Sequence, residues 1–193
     1  MEKEERKSDY PIHELFLNRW SPRAMSGEAI SDKELFTLFE AARWAPSSSN
    51  LQPWRFIYAK KESEHWSKFF SLLGEFNQIW CKNASVLVCL IAKKTDNEGK
   101  PNRNALSDSG AAWENLALQG TISKLVVHGM AGFDVEKTRK ELQITDDYEI
   151  VHMFAIGKHG DLSTIPERMQ KSEHPNSRNP VSSFVFEGKF KTN

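Results

Sequence analysis

The stretch AARWAPSSSNLQPWRF, residues 41–56, begins as the end of an apolar helix and finishes as the start of a strand. Leu38, Phe39 and Ala42 recur at helical spacing. That helix must stop before Pro46, because the residue preceding a proline is pushed out of the α region. WRFIYAKK, residues 54–61, then reads as the first strand. Between helix and strand lie Pro46, Ser47, Ser48, Ser49, Asn50, Gln52 and Pro53. Two readings compete. One is an ordinary connection stiffened by two prolines, since Pro, Ser and Asn dominate turns. The other is a polar rim built for a ligand.

Upstream, ISDKEL at 30–35 is a helix start. Ser31 and Glu34 have capping-box spacing, and Ile30 and Leu35 have staple spacing. Residues 8–19 read as a short helix with Ile12, Leu15 and Phe16 on one face. Downstream, residues 62–73 and 75–82 read as helices broken near Gly74. SVLVCLIAKK, 85–94, is a continuous apolar run, which predicts a central strand covered on both faces. TDNEGKPNRN is a polar loop rich in turn formers. Residues 108–123 predict a helix carrying Gly110, Ala111, Ala112, Ala117 and Gly120, small enough for a backbone or flat ligand to approach closely. VVHGMAGFD leaves that helix through two glycines, and Asp134 can cap a helix over 135–142. EIVHMFAIG, 149–157, predicts another strand. Helices alternating with few strands give the α+β class, a sheet with helices on both faces. The tail PNSRNPVSSFVFEGKF carries Phe184, Val185, Phe186 and Phe190 and is too apolar to stand free in solvent.

The 193 residues predict one domain, or a domain with an appendage, long enough to bury a sizeable core. Lysine plus arginine and aspartate plus glutamate balance at 26 each, which argues against a nucleic-acid or anionic-membrane surface. No run approaches the roughly 18 apolar residues of a membrane span. The N-terminal MEKEERKSDYPIHELF has no apolar core, so no secretory signal is expected. The two cysteines lack CxxC spacing and the six histidines form no HExxH pair, so no metal is expected. Cys89 reads as a small hydrophobe in a strand. A reduced, cytoplasmic protein fits this cysteine usage.

NRWSPRAM, 18–25, sets Arg19, Ser21 and Arg23 on alternate positions of an extended stretch, where side chains point the same way. Two arginines and a hydroxyl make an anion site suited to a phosphate. The competing reading is a solvated surface turn. No GxGxxG turn is present for a dinucleotide pyrophosphate.

RWSPRAM, about 20 residues of helix and then ARWAPSSSNLQPWRF together resemble the nitroreductase family of FMN enzymes. HGMAGFD, FAIGKHGD and SRNPVSSFVFEGKF resemble its later landmarks in the same order, so the likeness runs from about residue 12 to 190. The resemblance implies a mainly antiparallel central sheet, one domain over 1–193, and a homodimer in which an arm at 175–193 packs on the partner subunit. It implies FMN contacts from Arg19, Trp20, Ser21 and Arg23, with Trp20 departing from the basic residue often found there. Pro46, Ser47 and Ser48 match the loop that reaches the flavin of the other subunit, and Asn50 matches the family's asparagine near the reactive part of the ring, with Gln52 following it. Ala131 and Gly132 match the backbone near flavin N5, and Arg178 a late phosphate-binding residue. His128 sits beside that backbone and reads as structural. No side-chain acid or base is nominated.

The implied activity is ping-pong transfer from NAD(P)H through FMN to nitroaromatic, quinone or other flat acceptors. A flavin-binding sensor or storage protein without turnover is the alternative from another class. Reductive dehalogenation and oxygen-dependent flavin cleavage are further reactions on the same scaffold. The 95–107 loop is too short and polar to claim either.

Overall fold

In a computed structural model of the chain, which describes residues 6–190, Ser31 caps a helix as its spacing predicts. Its Oγ accepts from the Glu34 N–H at 3.2 Å, and the Glu34 carboxylate accepts from the Ser31 N–H at 2.7 Å. The elements in chain order are α1 (Glu14–Asn18), α2 (Asp32–Arg43), β1 (Trp54–Lys60), α3 (Trp66–Ser71), α4 (Glu75–Cys81), β2 (Val86–Lys93), α5 (Ala105–Ile122), β3 (Leu125–Met130), α6 (Val135–Glu141), β4 (Tyr148–Lys158) and α7 (Glu167–Gln170). The four strands form one antiparallel sheet in the order β1-β2-β4-β3. The chain is therefore α+β, with helices on both faces.

β2 is central, and its first seven residues are buried, as a continuous apolar run requires. Val86, Val88 and Leu90 face Leu35 and Leu38 of α2 and Leu116 of α5. Leu87, Cys89 and Ile91 face the other way, against Phe69 of α3 and Trp80 and Cys81 of α4. Both thiols are buried, and burial pushes the Cys81 thiol up and that of Cys89 up to about 12. Gly120 lets α5 come close to β3, since a Cβ there would stand 2.6 Å from Val127.

Several expectations change. The first helix is confined to Glu14–Asn18, because Pro11 interrupts the segment and His13 Nδ1 accepts from the Leu15 N–H to start the turn later. The helix expected over 62–73 begins only at Trp66, after a turn in which Ser63 N–H donates to Lys60 O. The segment expected only to leave a helix is an edge strand, β3, paired with β4 from Leu125↔Lys158 to Met130↔Met153. The 95–107 segment folds on itself through a Thr95↔Pro101 bridge, and its last three residues already belong to α5. The tail is not buried within the chain: Phe184 is 62% exposed and Phe190 77%. The first five residues of the 1–193 span, and the last three of the 175–193 arm, lie outside the described residues.

The extended stretch after α1 is anchored to the end of β4. Gly160 N–H donates to Ala24 O at 2.9 Å, Ser26 N–H to Lys158 O at 3.1 Å, and Met25 bridges His159. A Cβ on Gly160 would overlap the Met25 carbonyl, so only glycine allows this approach.

Candidate functional site

Period two decides which side chains of residues 19–24 share a face. Arg19, Ser21 and Arg23 line a cleft of about 570 Å³, Pro22 and Ala24 line a separate cavity of about 640 Å³ behind them, and the large Trp20 side chain borders both. The larger cavity holds no arginine, and its one carboxylate, Glu173, is already engaged by Arg23. The chemistry gathers in the arginine cleft.

That cleft is walled on one side by Phe76, Asn77 and Trp80 of α4 and His128 of β3, and on the other by residues 172–178. Arg178 reaches it, as does Arg6 from the N-terminal segment, which sequence reasoning missed. A second space of about 400 Å³, bounded by Gly129, Ala131 and Gly132, adjoins the cleft and shares Phe76, Asn77 and His128 with it. Arginines thus mark the first and small residues the second.

The cations are held differently. Arg23 is paired: its Nε donates to Glu173 Oε2 at 3.0 Å and its Nη2 to Ser172 Oγ at 2.9 Å. The Glu173 side chain is 2% exposed and also accepts from the Arg23 and Ala24 N–H groups. Arg19 Nη1 donates to Ser21 Oγ at 3.3 Å, and Arg19 has Glu114 only at 3.9 Å. Burial pushes the Glu114 carboxyl up, against the pull of Arg19 and Arg178. Arg23 therefore stands in the wall already neutralised, whereas Arg19 and Arg178 share one loosely held carboxylate.

At the other end, Gly132 O accepts from Gly74 N–H and from Asn77 Nδ2, each at 2.9 Å. Among the described residues neither the Ala131 nor the Gly132 N–H donates to a protein group. A Cβ on Gly132 would stand 2.9 Å from Asn77 Nδ2, so bulk there meets Asn77 first. His128 Nδ1 lies 2.9 Å from Pro22 O. A carbonyl only accepts, so Nδ1 carries the proton and Nε2 keeps its lone pair. The ring packs against Trp80 at 4.4 Å between centroids, tilted by 40°, and burial holds its pKa below the usual histidine value.

The loop Pro46–Gln52 does not line this cleft within one chain. Its short polar groups hold the loop itself: Ser47 Oγ accepts from Gln52 N–H at 3.1 Å, Gln52 Nε2 donates to Asn50 Oδ1 at 3.0 Å, and Ser48 N–H donates to Asp108 at 3.0 Å. Ser49, Asn50 and Gln52 take φ values of 50°, 54° and 47°. Both readings of the opening stretch survive: these residues make a stiff turn, and its outer surface is free for another chain.

Residues 17–158 match the model of the Nitroreductase family. The chain belongs to the nitroreductase family. A solved structure described as an oxidoreductase containing FMN is similar at 43% identity and a TM-score of 0.93, over 97% of each chain. A nitroreductase from Desulfovibrio desulfuricans solved with FMN has the same fold, with a TM-score of 0.72 at 21% identity over 95% of this chain and all of the other. An Archaeoglobus fulgidus protein provisionally named NADH dehydrogenase/NAD(P)H nitroreductase is 30% identical over 104 residues, 54% of this chain and 58% of its own length. Among the described residues no helix of this nitroreductase-family chain is long and apolar enough to cross a membrane, and no His/Cys/Asp/Glu cluster could hold a metal.

Proposed function

We propose that the chain is an FMN-dependent oxidoreductase that uses NAD(P)H to reduce nitroaromatic, quinone or similar flat acceptors by a ping-pong mechanism. The carrying observation is a pair of adjoining clefts, with arginines short of counter-charge in one and two undonated backbone N–H groups beside small residues in the other. FMN has matching ends, a phosphate and a flat ring with acceptor nitrogens. The 43%-identical structure described as containing FMN supports the same choice.

In this reading Arg19 and Arg178 hold the phosphate and Ser21 adds a donor. Trp20 contributes backbone, and Arg23 shapes the wall while spending most of its charge on Glu173. The Ala131 and Gly132 N–H groups donate to the ring edge near N5. When bound, FMN supplies hydride acceptance and return. The protein's part is orientation, so no side-chain acid or base is required. Pro46, Ser47, Ser48, Asn50 and Gln52 serve the cleft of a partner subunit, which makes the unit a homodimer. The exposed Phe184, Val185 and Phe190 of the 175–193 arm, with Tyr10, Ile12 and Phe16, supply apolar surface for that interface. The small residues at 129, 131 and 132 leave room for one flat molecule at a time, so donor and acceptor exclude each other.

The test begins with purified protein. It should be yellow, release FMN on heating, bleach with NAD(P)H and recover colour with a nitroaromatic or quinone. Initial rates at several acceptor concentrations should give parallel lines, whereas intersecting lines would mean a ternary complex and end the shared-site mechanism. A protein that binds FMN but turns over no acceptor would be the sensor or storage protein. Protein that cannot be reconstituted with FMN would overturn the reading altogether.

A further inference from the structure

We propose that Arg6 is the third arm of an anion site in this cleft and the residue that makes it prefer a phosphorylated flavin to an unphosphorylated one. The flavin half of this inference rests on the proposed function, whereas the anion half does not. Arg6 precedes the 17–158 region matched by the family model.

The geometry is specific. Arg6 Nη1 donates to Leu17 O at 2.8 Å and Arg19 O at 2.7 Å, and Nε donates to Asn176 O at 2.8 Å. These carbonyls belong to the two segments that carry Arg19 and Arg178. One guanidinium therefore ties both arms of the cleft together while adding its own charge between them. Its remaining amino group, Nη2, makes no hydrogen bond among the described residues.

Three cations held this closely repel one another. Burial, and then Arg178 and Arg19, all favour loss of the Arg6 proton. The counter-charge is meagre: Glu114 stands 3.9 Å from Arg19, and Glu173 is taken by Arg23. A dianion relieves this repulsion, and a phosphate monoester carries about −1.5 to −2 charges at neutral pH with three acceptor oxygens. Guanidinium groups suit it because their paired N–H groups match its oxygens. A neutral ribityl alcohol gains much less from the same donors, which is why discrimination between FMN and riboflavin should reside here.

The experiment titrates wild type, Arg6→Ala and Arg6→Lys with FMN and with riboflavin, following flavin fluorescence. In parallel it measures the rise in Tm caused by inorganic phosphate at fixed ionic strength. Arg6→Ala should lose about tenfold to a hundredfold in FMN affinity, the range for one hydrogen bond to a charged group. Its riboflavin affinity should change far less, and phosphate should raise its Tm less than it raises that of wild type. Arg6→Lys should recover part of the FMN preference, since it keeps the charge but cannot tie three carbonyls. Equal losses for both flavins in Arg6→Ala, without recovery in Arg6→Lys, would make Arg6 a structural tie only and overturn the inference. So would equal phosphate protection of wild type and Arg6→Ala, even if FMN is bound and reduced. Conversely, wild type that ignores both flavins while phosphate protects it through Arg6 would keep the anion site and remove the proposed function.

Discussion

Replacing Glu173 with alanine removes one carboxylate and strands three donors. The Arg23 side chain, 17% exposed, loses its counter-charge, and the Arg23 and Ala24 N–H groups lose their acceptor. Breaking a buried pair from one side typically costs about 3–5 kcal/mol. Cavities flank residues 22–24 on both sides, so water can reach the orphaned groups and the lower end applies, about 3 kcal/mol. In a domain of this length each kcal/mol moves Tm by about 2–4 °C, so a fall of roughly 6–12 °C is expected. Urea denaturation supplies the free energy and calorimetry the Tm. Arg23→Met provides the other edge of a double-mutant cycle: if the pair is the cause, the double variant should be much less destabilised than the sum of the two. Glu173→Gln, keeping one acceptor oxygen, should fall between. A Glu173→Ala protein within about 0.5 kcal/mol of wild type, the usual span of surface substitutions, would refute the reasoning that Glu173 anchors Arg23 and Ala24.

Arg19→Ala and Arg178→Ala should each weaken FMN binding by about 1.5–3 kcal/mol, with lysine rescuing only partly, as read by equilibrium titration. Gly132→Val should retain flavin while its reduction by NAD(P)H, followed by anaerobic stopped flow, slows at least about tenfold, roughly 1.4 kcal/mol in barrier. The structure routes that effect through displacement of Asn77, so Asn77→Ala should restore part of the rate. Truncation after Pro180 should dissociate the proposed homodimer and release flavin together in sedimentation equilibrium, because an obligate dimer needs an interface above about 2,000 Å² and the proposal gives the arm its apolar part. His152, half-buried beside Trp113 and Phe154, has its pKa lowered by burial from 6.5 to about 4. The unfolded chain then binds more protons between those values, so stability should fall as pH drops through this window, and His152→Gln should flatten the fall measured by urea denaturation.

Local chemistry made much of the fold legible. Ser31 and Glu34, Asp134 and the apolar run at 86–93 each act over a few residues, and each forms as its sequence predicts. β3 escaped because His128 and Gly129 interrupt its apolar pattern, and its pairing with β4 is a long-range fact. The same division runs through the cleft. That Arg19, Ser21 and Arg23 share a face follows from period two alone. That Arg23 is neutralised depends on a glutamate 150 residues away. Arg6 was hidden in a charged run that reads as solvated chain, and nothing local says that its guanidinium turns inward to Leu17, Arg19 and Asn176.

The turn between α2 and β1 has a further consequence. Ser49, Asn50 and Gln52 all occupy the left-handed region, where a residue other than glycine or asparagine gives up about 1–2 kcal/mol. Glycine at 49 would relieve that strain at one position without removing a side-chain bond of the loop. It would also let the loop wander, blurring the surface it presents to whatever docks there. Durability and recognition are thus set against each other within four consecutive residues, and a hardier variant obtained by relaxing them should be a poorer binder.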